Sequence, residues 1–184
     1  MFVQPIHGKG VRVIWLKGET DMLGALEEVE SFGEFAKRNN AVASTEVKSF
    51  EHLICTEQLS RRLGFKVGEE LIRVVRVRSL NGNARQVDHG YFLAAIAKGL
   101  TPEIAADSIY GYLEHKRGVK VMASRRTVSV ELANDEDCSY LDLGKYNCVA
   151  VMESQSYTSD GILFEVTHAR THPEIFHCRV NSKR

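Results

Sequence analysis

The sequence has little of what marks several large classes of protein. It contains 24 basic and 24 acidic residues in a length of 184, so its formal net charge is zero. A protein that binds nucleic acid by neutralising phosphates needs an excess of basic residues, which this chain as it stands lacks. No apolar run approaches the roughly 18 residues of a membrane-spanning helix, and the N-terminus has no signal-peptide pattern. We therefore expect a cytoplasmic protein without a membrane partner.

Cysteine and histidine are present, but not in the patterns that bind metal. The four cysteines are widely spread and include no CxxC pair, so the sequence predicts neither a disulfide framework nor a zinc site. His168, His172 and His177 have a spacing that matches no established metal motif, and Pro173 interrupts them. We predict no metal and no cofactor.

Most of the chain consists of strand-like segments separated by turn signals, and its length suits one domain with a short extension. The predicted strands cover Val42–Cys55, a hairpin in Leu71–Leu93, Val119–Leu132, Val149–Tyr157, Ile162–Arg170 and Glu174–Val180. Arg125 and Arg126 in the third segment point to opposite faces, so one of them is expected to approach a site and the other to be solvated. The fold class that fits is α+β: about six strands in a mainly antiparallel sheet built from hairpins, with helices packed on one side.

Helices are predicted from apolar spacing and from capping residues. Apolar residues recur at helical spacing over Asp21–Lys37 and again over Tyr91–Leu100. Local residue signals then mark four further helix starts. Thr56 precedes a helix ended by Gly64, and Pro102 opens another helical turn. Asp107 or Ser108 precedes a helix ended by Gly118, and Asn134 precedes a helix reaching Leu143.

The hairpin in Leu71–Leu93 carries an unusual load of arginine around an Asn-Gly turn signal. If Asn81 and Gly82 alone formed the loop, Arg78 would face Arg85, and directly opposed like charges are destabilising. A loop that also includes Asn83 places Arg76 opposite Asp88 and Arg78 opposite Gln86. We prefer this second register because it replaces a repulsion with a salt bridge.

On that register Arg76, Arg78 and Asp88 share one face of the hairpin, with His89 on the other. Two guanidinium groups beside a carboxylate suit a small anion that also has hydroxyl or amino groups. The hairpin alone is equally compatible with a solvated strand face.

The pattern RVRSLNG, followed by Asp88 and Tyr91, resembles the start of the UTRA domain. This is the effector-binding domain of HutC-type regulators in the GntR family of bacterial transcription factors. The similarity runs over roughly Ser31 to Val180, where short motifs agree in order and spacing. It implies a fold like that of chorismate lyase.

The resemblance also suggests how the chain is organised. The segment PIHGKGVRVIW resembles the glycine-rich wing and final strand of a winged helix-turn-helix, although an ordinary β-turn gives the same pattern. The expected division is a remnant of the wing and a linker over residues 1–18, followed by a UTRA domain over 19–184. The helices that read DNA are then expected to be missing from this chain.

Further site residues are implied by the resemblance. In the family, the segment matching Ser31, Phe32 and Gly33 offers backbone amides to the anionic end of the ligand. The segment DSIYGYLEH places Ser108 and Tyr110 at a helix start that meets the same group. DGILFEVTHA places Glu165 on the effector side, as an acceptor for hydroxyl or amino groups. Ordinary capping and packing roles remain the alternative for the first two segments.

Thr171 and His172 stand where many family members have a tyrosine that closes the pocket, which weakens any inference of a hexosamine phosphate. The expected ligand is a small anionic effector: a phosphorylated sugar, a phosphonate or a carboxylate.

Three functions remain open at this point. The first is a ligand sensor and homodimerisation domain that modulates operator binding through the missing domain. The others are a chorismate lyase-like enzyme and a dimerisation module without a ligand. The sequence offers no nucleophile and base pair, phosphate loop or metal set, so a regulator is expected rather than an enzyme.

Overall fold

A computed structural model of the chain describes residues 2–8, 10–15, 23–24 and 31–178. The first elements are β1 (Phe2–Ile6), β2 (Gly10–Trp15), β3 (Leu23–Gly24), α1 (Phe32–Arg38), β4 (Ala43–Ile54), α2 (Glu57–Leu63), β5 (Glu70–Leu80) and β6 (Asn83–Leu93). They are followed by α3 (Pro102–Ala106), α4 (Ile109–Arg117), β7 (Val121–Leu132), α5 (Asp135–Tyr140), β8 (Cys148–Thr158), β9 (Leu163–Thr171), a 3-10 turn (Pro173–Ile175) and β10 (His177–Cys178).

The centre of the fold is a six-stranded antiparallel sheet. Its strand order is β4-β5-β6-β9-β8-β7, so two three-stranded antiparallel units lie side by side and the pairing of β6 with β9 joins them in the middle. The predicted α+β fold with about six antiparallel strands is confirmed.

The β5–β6 hairpin combines features of both registers considered above. Its turn contains only Asn81 and Gly82, both with positive φ, which is typical of a type I′ turn. A bulge at Arg85 then absorbs one residue, so that Arg76 lies opposite Asp88 and Arg78 opposite Gln86. The predicted register is therefore confirmed, whereas the predicted three-residue loop is wrong.

Capping residues predicted the helix starts more accurately than apolar spacing did. The side chains of Thr56, Thr101, Ser108 and Asn134 each accept a hydrogen bond from the first turn of the following helix. Gly64 and Gly118 end their helices in the left-handed conformation, as predicted.

Of the helices predicted from spacing, the one over Tyr91–Leu100 is wrong, and the one over Asp21–Lys37 is confirmed in its second part. Over Tyr91–Leu100 the chain completes β6 and then forms turns. The apolar side chains of these turns pack into the core without forming a helix. Within Asp21–Lys37, β3 is a strand and α1 begins at Phe32, while residues 21–22 and 25–30 lie outside the described part. The helix from Asn134 ends at Tyr140 rather than Leu143.

Helices cover both faces of the sheet, not one side as predicted. On one face Ile72, Val74 and Phe92 pack against α3 and α4. Strand residues of the opposite parity form two clusters on the other face: Leu71 and Val166 with α2, and Val75 and Val151 with the segment around α5. Arg76 and Asp88 share the parity of Val74, so they lie on the α4 side, which we call the pocket face.

Two short pairings lie outside the main sheet. β1 and β2 form an antiparallel hairpin with His7 and Gly8 in its turn, where the wing-like pattern was noted. β10 pairs in parallel with β3. The predicted last strand is shorter than expected because Pro173–Ile175 forms a 3-10 turn, and residues 179–180 lie outside the described part.

Candidate functional site

A cavity with a volume of about 200 Å³ lies on the pocket face, enclosed by the sheet, α1, the start of α4 and the segment after β9. All nine residues predicted for the site line this one cavity: Ser31, Phe32, Gly33, Arg76, Arg78, Asp88, Ser108, Tyr110 and Glu165. They come from four separate stretches of the chain. The structure thus brings the predicted set together.

A buried ion triad forms one end of the cavity. Asp88 Oδ2 accepts a hydrogen bond from Arg76 Nη2 at 2.5 Å and another from Arg78 Nη2 at 2.8 Å. Burial raises the pKa of Asp88, but the two guanidinium charges outweigh it and lower the pKa to about 2. Asp88 is therefore ionised at neutral pH, and two cations share one anion.

The two arginines differ in burial and in the contacts that their guanidinium groups make. The Arg76 side chain is almost fully buried, and its Nε has no hydrogen-bond partner in the described part of the chain. The Arg78 side chain is 15% exposed, and its guanidinium lies 5.1 Å from the centroid of the Phe32 ring. Arg78 thus connects the sheet to α1 across the cavity.

Ser31 begins α1 through a reciprocal capping box. Its hydroxyl donates to Glu34 Oε2 at 2.7 Å and accepts from the Glu34 N–H. The Ser31 backbone N–H also donates to Glu34 Oε2, at 2.8 Å, so both the side chain and the N–H of Ser31 are occupied within the helix, and the segment lines the cavity chiefly with the Phe32 ring and Gly33.

Glu165 and Tyr110 form a second buried pair. The Tyr110 hydroxyl donates to Glu165 Oε2 and lies 3.1 Å from Ser156 Oγ. Burial raises the pKa of Glu165, and the hydrogen bonds from Tyr110 and Ser156 offset only part of this effect. Burial and then the adjacent carboxylate also raise the pKa of Tyr110, which therefore stays a neutral donor.

Ser108 occupies the N-cap of α4 at the cavity wall. Its Oγ accepts the N–H of Gly111 at 3.0 Å, and its own hydroxyl hydrogen has no acceptor among the described residues. A capping serine in this state can donate to a ligand while it caps the helix, and the positive end of the helix dipole favours an anionic group there.

The polar floor that β7, β8 and β9 supply was not predicted from the sequence. Five hydroxyl residues line it: Ser124, Ser154, Ser156, Thr167 and Thr171. In the sequence these residues alternate with residues of the opposite face. The same alternation of serine and threonine is typical of a solvated strand, so it did not indicate a binding site. Arg126 also lines the cavity, and Arg125 is exposed on the other face. This agrees with the prediction that one of these two arginines approaches a site and the other is solvated.

The histidines in the second half of the chain do not gather at one site. His89 lies on the opposite face, as predicted, 2.9 Å from Glu136, and His168 is its neighbour there. His172 contacts the Asp142 carbonyl at 3.0 Å and the Tyr146 ring, and only His177 lines the cavity. Within the described ranges there is no group of three or more potential ligands that could hold a metal ion.

Comparison with known proteins identifies the family. The model of the UTRA domain matches residues 38–177. The chain belongs to the UTRA domain family. Over 169 residues it is 28% identical to the transcriptional regulator TreR of Bacillus subtilis strain 168, covering 92% of this chain and 70% of TreR. It is 22% identical to the transcriptional repressor NagR of the same organism over 90% of this chain and 66% of NagR.

Solved structures agree with this assignment. The chain aligns with the effector-binding domain of the B. subtilis trehalose repressor TreR at a TM-score of 0.67 and 27% identity, over 77% of this chain and 98% of that one. It aligns with the regulator YydK of B. subtilis at a TM-score of 0.78 and 22% identity, over 98% of this chain and 76% of that one.

These relatives decide between the regulator and the enzyme left open by the sequence. They are transcriptional regulators of the GntR type, so the chain is a UTRA effector-binding domain of such a regulator and not an enzyme. The alternative of a chorismate lyase-like enzyme is not supported. In the part of the chain that the structure describes, no helix is long and apolar enough to cross a membrane.

Proposed function

We propose that the cavity on the pocket face binds a small anionic effector through Arg76, Arg78, Ser108 and Tyr110. The observation that carries this proposal is a buried cluster of positive charge: Arg76 and Arg78 both bind the carboxylate of Asp88. An anionic group near them completes the charge balance, because a buried charge is stable only when it is paired. Arg126 adds a third guanidinium to the cavity wall.

The rest of the lining supports an anion that also carries hydroxyl or amino groups. Glu165 and Asp88 accept hydrogen bonds, and the five hydroxyl residues of the floor both donate and accept. Phosphorylated sugars, phosphonates and hydroxylated carboxylates all fit this chemistry. Among the relatives, one structure is of a trehalose repressor, which supports a search that begins with sugar derivatives.

The effector is proposed to modulate DNA binding by a winged helix-turn-helix of a HutC-type regulator. The β1–β2 hairpin supports this organisation, since it lies where the wing-like pattern was noted and the alignment with YydK covers 98% of this chain. Residues 1–18 are then the wing and linker, and operator DNA is contacted by the preceding helices. The regulator is proposed to act as a homodimer, because paired operator half-sites match a two-fold protein.

Thermal-shift screening tests the ligand class. Each anionic compound is paired with its uncharged counterpart: a sugar phosphate with the free sugar, a phosphonate with its diester and an organic acid with its amide. The proposal expects stabilisation by the anionic member of at least one pair and none by its counterpart. Stabilisation by uncharged members alone would show that the arginines do not select the ligand.

A separate titration tests regulation. An N-terminal winged helix-turn-helix from a related regulator is joined to this chain, and operator binding is measured with and without the compound found by screening. Effector coupling of about 1 to 3 kcal/mol is expected, which corresponds to a change in operator affinity of roughly 5 to 150-fold. Equal affinities would contradict the regulatory part of the proposal while leaving ligand binding intact.

A further inference from the structure

A second cavity, which we call the back cavity, lies on the face of the sheet opposite to the pocket face. Its volume is about 490 Å³, compared with about 200 Å³ for the cavity on the pocket face. On the back face, α2 and the segment around α5 each cover an apolar cluster, and the back cavity occupies the gap between them. A cavity of this size can hold a small molecule.

A row of residues from four neighbouring strands crosses the floor of the back cavity. Tyr91 on β6 pairs with Val166 on β9. Gln155 on β8 lies between Val166 and Arg125 of β7. Neighbouring strands lie about 4.8 Å apart, so roughly 14 Å separates the Cα atoms at the two ends of the row. The floor is therefore elongated.

A guanidinium group stands at each end of this row. Arg62 of α2 donates from Nη2 to the Tyr91 hydroxyl at 2.8 Å, and its Cζ lies 5.5 Å from the centroid of the Tyr91 ring. Arg125 is exposed at the other end. Among the residues that the structure describes, neither guanidinium has a carboxylate partner. Both are therefore available to an anionic group in the cavity.

The other two arginines of the back cavity are already paired with acidic residues. Arg73 Nη1 lies 3.4 Å from a carboxylate oxygen of Glu51, and Arg170 Nη2 lies 2.8 Å from Asp137 Oδ2. The positive charge that a ligand can use thus stands mainly at the two ends of the row.

The middle of the back cavity offers hydrogen-bond acceptors. Glu153 lines the cavity beside the row and lies opposite His168, whereas Glu136 is held by His89 at 2.9 Å. Burial and the charge of Arg170 lower the pKa of His168, so its ring is neutral at pH 7 and one ring nitrogen is an acceptor. A carboxylate in this place repels an anionic group and favours hydroxyl donors.

We infer that the back cavity is a second ligand site, for an elongated small molecule with a carboxylate at each end and hydroxyl groups between them. Arg62 and Arg125 bind the two ends, and Glu153 accepts hydrogen bonds from the middle. The site is separate from the cavity on the pocket face because adjacent residues of a strand point to opposite faces. Asp88 thus lines one cavity and His89 the other.

Titration calorimetry of the full chain with three sugar acids and related compounds tests the inference. Glucarate has a carboxylate at each end of a hydroxylated chain, gluconate lacks the second carboxylate, and adipate lacks the hydroxyl groups. Glucarate is expected to bind at least about tenfold more tightly than either of the others, because only glucarate uses both arginines and Glu153. The inference is overturned if gluconate or adipate binds as tightly as glucarate, or if glucarate does not bind.

Substitutions then locate the bound glucarate. Arg62→Gln and Arg125→Gln are each expected to weaken its binding by about tenfold, and both residues are exposed, so the fold stays intact. Arg61→Gln is the matched control, since Arg61 is the exposed neighbour of Arg62 on α2 and does not line the cavity. It should leave the affinity unchanged.

Arg78→Ala separates this inference from the proposed function, because Arg78 lines only the cavity on the pocket face. The variant is expected to bind glucarate as the wild type does. Weaker binding by Arg78→Ala together with unchanged binding by Arg125→Gln would place glucarate on the pocket face. That result would overturn the second site and leave the proposed function standing.

Discussion

Arg76 and Asp88 occupy directly opposed positions on β5 and β6, and their side chains meet at 2.5 Å in a place where both are buried. The same carboxylate oxygen accepts Arg78. Because one anion holds two cations in position, the arginines are fixed before any ligand arrives. The entropy cost of binding an anion is lowered by this arrangement.

Asp88 is expected to make the fold sensitive to acid in a defined range. Its pKa is lowered from 3.8 to about 2 in the folded state, so its stabilising contribution is present above 3.8 and is lost as the pH falls through about 2. Between about pH 4 and 2, the free energy of unfolding of the wild type should fall by about 2 kcal/mol more than that of Asp88→Asn. Urea unfolding at several pH values measures this difference.

The control for this experiment is Asp160→Asn, which changes an exposed residue in the β8–β9 turn. It should follow the wild type across the whole range. If Asp88→Asn loses stability in acid as steeply as the wild type does, the buried triad does not hold Asp88 ionised.

Tyr110→Phe should destabilise the fold in a pH-dependent way. The variant removes a donor that lowers the pKa of Glu165, so that pKa rises further. A carboxyl whose folded pKa is raised loses stability as the pH rises above its unfolded value. We expect a cost of about 1 kcal/mol or more that grows from pH 5 to pH 8.

Tyr112→Phe is the matched control, because the Tyr112 hydroxyl donates to the backbone carbonyl of Lys98 at 2.9 Å and not to a carboxylate. Its cost should be the same at both pH values. A pH-independent cost for Tyr110→Phe as well would show that the pair with Glu165 carries no charge.

Gly90→Ala should destabilise the protein although the residue lies in a regular strand. A Cβ atom at Gly90 would lie 2.6 Å from Cε2 of Phe92, whose ring is fully buried. Overpacking of this kind costs about 1 to 3 kcal/mol. Gly33→Ala in α1 meets nothing within 4 Å and should instead stabilise its helix by about 0.5 to 1 kcal/mol. Thermal unfolding should show a lower melting temperature than the wild type for Gly90→Ala and a higher one for Gly33→Ala.

The sequence predicted those parts of the site that depend on local rules. Charge pairing across the hairpin selected the register of Arg76 and Asp88, and capping chemistry located Ser108 at the start of α4. Both are decided by residues close in sequence or directly opposed in one hairpin. The bulge at Arg85 was not predictable, because a bulge and a longer loop give the same register beyond it.

Other features depended on contacts between distant segments. The apolar residues after Leu93 have helical spacing, yet they pack into the core from turns. The hydroxyl floor from Ser154 to Thr171 acquires its role only when β9 pairs with β6 and brings both next to Asp88. No single strand carries that information.

Calorimetry with the compound found by screening tests the location of the effector site most directly. Arg78→Ala removes a charge-assisted contact from the cavity wall, worth roughly 1.5 to 3 kcal/mol, and should weaken binding by roughly 10 to 150-fold. Arg76→Ala should weaken it at least as much. Arg73→Ala, on the opposite face of the same strand and paired with exposed Glu51, should leave the affinity unchanged. Unchanged affinity in both Arg76→Ala and Arg78→Ala would show that the effector binds elsewhere.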